Sequence, residues 1–446
     1  MKNYLEINWK EYFDDLKNLI KIPSFLVNKN EYPNMHSIEA LKYMEDLAKA
    51  NGMKVFTNPE GYYGYIEIGK GEEMIGLLGH LDVVAPGDLL LWKTDPFELV
   101  EDGNRVIGRG AVDMKGPFMM CFYLMKELLE KQVPLNKRVR LIYATDEELF
   151  WRGITKYVSD GHEQPTMGWT PDCTFPPIYG EKAAFQYQLA VKEDLNFEVD
   201  GGTGDNSVSP RATYKGNKVM QLQIKMEQLG YPYELNKDGS LSALGVSSHA
   251  LRAATRGINA NSRLVQALSM VEDSKLLDFI AKYVGTEVNG DTMFNGHFED
   301  ETGPITNTFS VIKTTPEGLV ATFDSRVPLF ATTWKEIENE ILKNCRKEGV
   351  NYKIHNFHDK LLVDKNGFLI QTLLKAYIKI TGEVDAKPAS GGGTTYAKSM
   401  QNVVGFGSNF IGSPDMEHQP NEYALKSDWI KAYSIFNEAL NHLLKK

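Results

Sequence analysis

The sequence predicts an α/β protein of two domains: a mostly parallel-sheet domain built from both ends of the chain, and an α+β domain inserted between them. Three observations predict it. Over residues 1–183, segments that read as strands alternate with segments of helical periodicity, the pattern of helices packed on a mostly parallel sheet. From GEKAAFQYQLAVK (180–192) onward the texture changes, and residues 184–356 hold two weakly similar passages of alternating strands, helical stretches and Gly/Asn/Asp-rich turns. Over residues 357–446 the first texture returns, which makes the outer domain discontinuous and the insert about 170 residues, a common domain size.

The elements follow in order. Tyr12, Leu16, Leu19 and Ile20, then Leu41, Met44, Leu47 and Ala48, fall at helical spacing and predict helices over 5–20 and 36–50. Lys54–Gly69 alternates and is broken by Gly61 and Gly64, which reads as a strand pair. The apolar run Met74–Leu78 is a buried strand, and a helix is expected over about 117–131. The strand Arg138–Ala144 and a helix from about 149 to 158 complete the first part. Within the insert, 255–269 and 334–348 read as helical. Beyond it come the helix Gly367–Thr381, a glycine cluster, the strand Val403–Phe406 and a last helix over 426–444. Ligands of such sheets bind beyond the carboxyl ends of the strands.

Composition narrows the function classes. The net charge is −10 with scattered basic residues, which gives nucleic-acid binding little electrostatic support. No stretch reaches the ~18 apolar residues that span a bilayer. Cys121, Cys173 and Cys345 are far apart and odd in number, so they form neither a disulfide framework nor a C-x-x-C motif. The N-terminus lacks the basic head and apolar core of a signal peptide, and the expected location is the cytoplasm.

The chemistry gathers at the ends of elements. In GLLGHLDVVAPGD (76–88), His80 and Asp82 emerge on one face where the strand ends, since side chains at i and i+2 point the same way. Asp113 lies in GRGAVDMKG, between glycines that let the backbone turn tightly around it. Glu147 and Glu148 follow a buried strand in YATDEEL, Asp172 sits between Pro171 and Pro176, and His418 lies in SPDMEHQPNE. Alone, each reads more readily as a turn former or a solvated helix start than as a functional group. Together they supply two imidazoles and at least four carboxylates, a set typical of divalent metal sites. So many carboxylates in one place repel each other unless a cation is present.

These stretches also carry a resemblance. GHLDVVAPGD, WKTDPF, GRGAVDMKGP, TDEE, PDCTFPPIYGEKA, GVSSHA, SGGGTTYA and EHQPNE occur in family order across about 76–423. The chain resembles metallopeptidases of the M20 family, the dinuclear aminoacylase/carboxypeptidase group, and within it the bacterial PepV-type dipeptidases. The resemblance implies two divalent ions, Zn2+ foremost with Mn2+ or Co2+ compatible. It implies that Asp113 bridges them, that His80 and Asp172 complete one site, and that Glu148 and His418 complete the other. Glu147 is left as the general base, and Asp82 orients His80 through its ring N–H. In the insert, His249 resembles the lid histidine that polarises the substrate carbonyl, Arg326 the lid arginine that holds a substrate carboxylate, and Asn206 a lid asparagine near the site. Gly392 and Gly393, within the glycine cluster, would present backbone N–H groups to that carboxylate.

The insert is longer than the ~110 residues of a single family lid, still within the usual domain range. PepV-type enzymes have a doubled lid whose second half takes the place of a dimer partner, so a monomer acting on small peptides is implied. Two departures stand out: Leu149-Phe150-Trp151 follows Glu148 where the family commonly has a small pair, and Met114 follows Asp113 where an acid is common. The expected activity is dipeptide hydrolysis. An N-acyl-amino-acid deacylase with the same metals, and a non-catalytic peptide- or metal-binding homologue, are the alternatives. For a dipeptide's α-ammonium, Asp82 and Asp88 are the candidate anions.

Overall fold

Met74–His80 shows no apolar/polar alternation, as expected of a strand covered on both faces, and all of it is buried. In the structure, a computed structural model describing residues 7–28, 30–202, 204–250 and 257–445 (the His249 side chain apart), this strand is central. It lies between Arg138–Ala144 and Met167–Thr170 and runs parallel to both. Val403–Gly405 adds a third parallel pairing, against Met167–Thr170. The flanks are antiparallel: Lys54–Thr57 with Tyr63–Gly69, Tyr63–Gly69 with Arg138–Ala144, and Val403–Gly405 with Ile178–Glu181. The link 58–62 is too short for a crossover, so the first of these pairs must be a hairpin. The sheet is therefore mixed, with a parallel centre.

The Lys115–Glu130 helix is buried at every position from Lys115 to Leu128. Its approach to the central strand depends on Gly79, where a β-carbon would stand 2.7 Å from Phe118. Trp9–Ile20 and Lys426–Lys445 pack on the same helix. The helix expected from 149 begins instead at Arg152, because 147–150 form a turn. Phe368–Thr381 and Lys426–Lys445 appear close to their expected bounds.

The chain divides into two compact units. One holds the described residues through Gly180, Leu361–Ser390 and those from Thr395 on; the other holds Glu181–Lys360 and Gly391–Thr394. The second unit is built on an eight-stranded sheet. Its order is Tyr233–Leu235, Leu241–Leu244, Arg211–Lys215, Glu198–Gly201, Thr306–Thr315, Gly318–Val327, Ala183–Lys192 and Asn351–His358, and every pairing is antiparallel. Ala260–Leu268 is shorter than the helix expected over 255–269: Asn259 caps it by accepting from Asn261 N–H and Ser262 N–H, and 255–256 lie outside the described residues. Trp334–Glu348 opens with a capping box between Thr333 and Glu336. Among the described residues no helix is long and apolar enough to cross a membrane.

Candidate metal centre

At the carboxyl end of the central strand, His80 is fully buried and its imidazole is held edge-on to the Tyr396 ring, 6.2 Å between centroids. Its Nε2 lies 3.1 Å from Asp113 Oδ1 and 3.5 Å from Asp172 Oδ2. The other Asp113 oxygen, Oδ2, lies 2.9 Å from Nε2 of His418, which is itself 3.1 Å from Glu148 Oε2. One carboxylate thus faces two imidazoles, each with a further carboxylate beside it. Ligand atoms of His80, Glu147 and Asp172 fall within 4.8 Å of one another, as do those of His80, Asp113 and Glu148. All seven first-unit candidates, His80, Asp82, Asp113, Glu147, Glu148, Asp172 and His418, come together here.

The backbone explains their convergence. Asp172 follows Thr170 at the end of one parallel strand, and Cys173 N–H and Phe175 N–H donate to Gly407 and Asn409 carbonyls just beyond another. His418 sits at φ 62, a left-handed conformation that costs a non-glycine residue of order 1–3 kcal/mol and persists only where the surroundings impose it. Glu147 and Glu148, just past the strand, occupy a turn, and their side chains part toward different partners.

Asp82 meets His80 through its backbone as well as its carboxylate. The nearer partner of His80 Nδ1 is the Asp82 backbone carbonyl, at 2.9 Å, with the carboxylate at 3.4 Å. Asp82 Oδ2 accepts instead from Glu148 N–H at 3.1 Å, so this one residue braces both a histidine and a glutamate of the cluster. It is 3% exposed and cannot meet a substrate ammonium. Asp88 is exposed and caps Leu89–Leu91 by accepting from Leu90 N–H. The two departures in sequence also find their places. Met114 is buried beneath the strand end, its sulfur 3.3 Å from His80 N. Trp151 turns inward and meets Tyr396 edge-on at 5.2 Å, part of the packing behind the imidazole.

Negative charge crowds this cluster. Burial, then repulsion from Asp113, pushes Glu148 up to about 7; burial with repulsion from Asp113 and Asp172 pushes Glu417 up to about 8. Glu147 is driven well above the usual range by burial and by Asp172 and Glu148, and Asp172 is raised as well. Burial opposes charge on His80 and His418, yet the surrounding carboxylates raise both. Asp113 is the exception: despite burial, hydrogen bonds from His418 and His80 hold it far below its ordinary value. Glu147 Oε1, Glu148 Oε1 and Asp82 Oδ1 are buried without a hydrogen-bond partner. Two ligands each about 2.0–2.2 Å from one tetrahedral zinc ion stand roughly 3.3–3.6 Å apart; the 3.5 Å between His80 Nε2 and Asp172 Oδ2 falls in that range, and the other pairs, at 2.9–3.1 Å, are at hydrogen-bond distance. The donor set fits divalent ions.

Two residues of this region were not foreseen. Glu422 is fully buried, and its carboxylate accepts from Arg109 Nη1 at 2.7 Å and from the N–H groups of Gly110, Val112 and Asp113. Glu417, whose Oε1 accepts from Asn409 at 2.7 Å, was also passed over. Neither has a periodic or motif signal of its own beyond membership of EHQPNE.

The remaining candidates lie in the second unit. Ser248–His249 pairs with Ser207–Val208, and Ala250 N–H donates to the Asn206 carbonyl at 2.9 Å, so Asn206 and His249 share one short ribbon. Arg326 is buried; Nε and Nη2 engage Asp324 at 2.7 and 2.9 Å, and Nη1 donates to Thr394 Oγ1 at 2.8 Å and to the Gly392 carbonyl at 3.3 Å. Gly392 thus offers this arginine its carbonyl, where an N–H facing a ligand was expected. Gly391, Gly392 and Gly393 are absent from the positive-φ residues, so they lack the left-handed alternation of an anion-binding nest.

Residues 76–442 match the model of "Peptidase family M20/M25/M40". The chain belongs to this family. The M20 metallopeptidase is 31% identical to "Putative dipeptidase YtjP" of Bacillus subtilis (strain 168), over 87% of each protein. To the "Putative dipeptidase" of Staphylococcus epidermidis (strain ATCC 12228 / FDA PCI 1200) it is 29% identical, over 97% of this chain and 98% of that one. Its fold is that of human carnosine dipeptidase 1 (TM-score 0.62, 14% identity, 99% of this chain and 98% of that one). The M20 family metallo-carboxypeptidase Sso-CP2 from Sulfolobus solfataricus shares it too (TM-score 0.61, 17% identity, 96% and 98%).

Proposed function

We propose that this M20 peptidase is a cytoplasmic, monomeric dipeptidase that binds two divalent ions and cleaves small peptides bearing a free carboxylate. The observation that carries the reading is the Asp113 carboxylate, with one oxygen toward His80 and the other toward His418. His80, Asp172 and Asp113 would hold one ion; His418, Glu148 and Asp113 the other. Bound there, a pair of such ions supplies Lewis acidity at the scissile carbonyl and lowers the pKa of water. Zn2+ is the first expectation, and Mn2+ and Co2+ suit the same ligands.

Glu147 is the general base. It takes the proton from the attacking water and delivers it to the departing amine nitrogen, so its carboxylate must stay off the ions while lying beside them. Its unpartnered Oε1 and its place near His80 and Asp172 support that role. Asp82 holds the His80 ring and the Glu148 backbone in place. His249 polarises the scissile carbonyl, with Asn206 beside it on the ribbon. Arg326 receives the substrate carboxylate, with Asp324 holding the guanidinium in orientation through Nε and Nη2.

The relatives named as dipeptidases support a dipeptide substrate over an acylated amino acid. The test is a panel of free dipeptides with matched N-acetyl and N-succinyl amino acids, on chelated enzyme restored with zinc, manganese or cobalt. Metal-dependent cleavage of the dipeptides alone is expected. Preference for the acylated compounds would make the enzyme a deacylase, and no turnover of any would bring the binding-protein reading forward.

A further inference from the structure

Glu422 stands four hydrogen-bond donors deep in the protein, and three of them are backbone N–H groups of the loop that carries Asp113. Val112 N–H reaches Oε1 at 2.7 Å, Gly110 N–H and Asp113 N–H reach it at 3.1 Å each, and Gly110 N–H also lies 3.2 Å from Oε2. Arg109 Nη1 closes the set on Oε2 at 2.7 Å, with its guanidinium 5.3 Å from the Trp92 ring centroid. The loop can wrap the carboxylate in this way because Gly110 takes φ 88. The backbone around Glu422 is tied to the same region: Gly108 N–H donates to the Glu422 carbonyl at 3.0 Å, and Tyr423–Leu425 pairs with Arg105–Ile107. Next to it, Asn421 accepts from Lys93 N–H and donates to the Leu91 carbonyl, each at 2.7 Å. The segment that carries His418 therefore grips the loop of Asp113 and the neighbouring loop at 91–93.

We infer that Glu422 is a positioning residue for the metal centre: its carboxylate, through the N–H groups of Gly110, Val112 and Asp113, fixes the Asp113 backbone so that the two Asp113 oxygens face His80 and His418. The inference rests on the two-ion reading of Asp113. A pair that merely filled the core would need only charge balance between Arg109 and Glu422, and an apolar pair could replace it. An apolar pair offers the three N–H groups no acceptor. Groups that orient metal ligands in this way typically govern metal affinity by about 10–100-fold.

The test compares two neutral double variants. Arg109→Met with Glu422→Gln removes the ion pair but keeps an oxygen for the three N–H groups; Arg109→Met with Glu422→Met removes both. Folding is checked by circular dichroism. Affinity for both ions is measured by chelator competition with Zn2+, the visible spectrum is recorded on Co2+-loaded protein, and hydrogen exchange at residues 110, 112 and 113 is followed in the metal-free chain.

The expected result is that the glutamine double matches wild type within a few-fold. The methionine double binds both ions about 10–100-fold more weakly, with an altered cobalt spectrum and faster exchange at those amides. Glu422→Asp, which keeps the charge but draws it back by one methylene, is expected to shift the same readouts in the same direction and covers the case of a double that does not fold. Wild-type affinity, spectrum and exchange in the methionine double, or in Glu422→Asp if that double does not fold, would overturn the positioning role alone. A wild-type chain unable to bind two ions, with Asp113→Ala as the comparison, would overturn both this role and the two-ion reading beneath it.

Discussion

Replacing Glu147 by glutamine removes a proton acceptor and leaves the volume of the side chain nearly unchanged. Glu147 Oε1 is buried without a hydrogen-bond partner, so the loss of charge breaks no contact at that atom. The substitution also relieves the repulsion from Asp172 and Glu148 that helps to drive the carboxyl upward, so the fold is expected to persist. A positioned general base is worth about 10²–10⁴ in rate, equivalent to roughly 3–5.5 kcal/mol of barrier. The Glu147→Gln variant is therefore expected to lose 10²–10⁴-fold in kcat on a cleaved dipeptide, with KM changed by no more than a few-fold and two ions still bound per chain. Steady-state kinetics together with metal analysis of the dialysed protein decides. A kcat within about tenfold of wild type would refute the assignment as base. Loss of one ion would show that Glu147, which lies with His80 and Asp172 in one potential ligand group, is a ligand instead.

Asp113→Ala is expected to release both ions and abolish turnover, whereas Glu148→Ala should spare the ion held by His80 and Asp172; metal analysis after dialysis distinguishes them. In the metal-free chain, Glu148 is raised from 4.5 to about 7, so its share of stability is present below its unfolded pKa and is lost as pH rises through 7. His80 and His418, raised above 6.5, act in the same sense. The melting temperature of chelated protein should therefore fall between about pH 5 and 8, and zinc should restore it most at the upper end; a melting point that rises with pH would contradict this. Arg326→Lys keeps the charge facing Asp324 but loses the planar fork, and KM for a dipeptide is expected to rise about tenfold with a smaller change in kcat.

What the sequence made legible were features with local signals. His80 and Asp82 close an apolar run with i, i+2 spacing, Asp113 lies among glycines, and Asp172 lies between prolines; each marks the end of an element, and the cluster forms there. The parallel centre of the sheet followed from strand–helix alternation, and the Lys54–Thr57/Tyr63–Gly69 hairpin from a link too short to cross over; the other antiparallel pairings join strands distant in sequence and had no local signal. Less legible was whatever depends on tertiary pairing. Asp82 reads as a carboxylate aimed at an imidazole, but its backbone carbonyl takes the nearer place and frees the carboxylate for Glu148 N–H. Glu422 lies 309 residues from Asp113, and no periodicity connects them. Arg109, buried between two glycines, shows its need of a charged partner only once the fold is known. Trp151 departs from the small residues common after the paired glutamates; with its backbone in a left-handed turn at φ 57, it packs on Tyr396 behind the His80 imidazole.

The central claim is a pair of divalent ions shared by Asp113. Its most direct test is anomalous diffraction from a zinc-loaded crystal, recorded above and below the zinc edge. Two peaks are predicted, one against each oxygen of Asp113, the first bounded by His80 and Asp172 and the second by His418 and Glu148. A single peak, or none between His80 and His418, would contradict it.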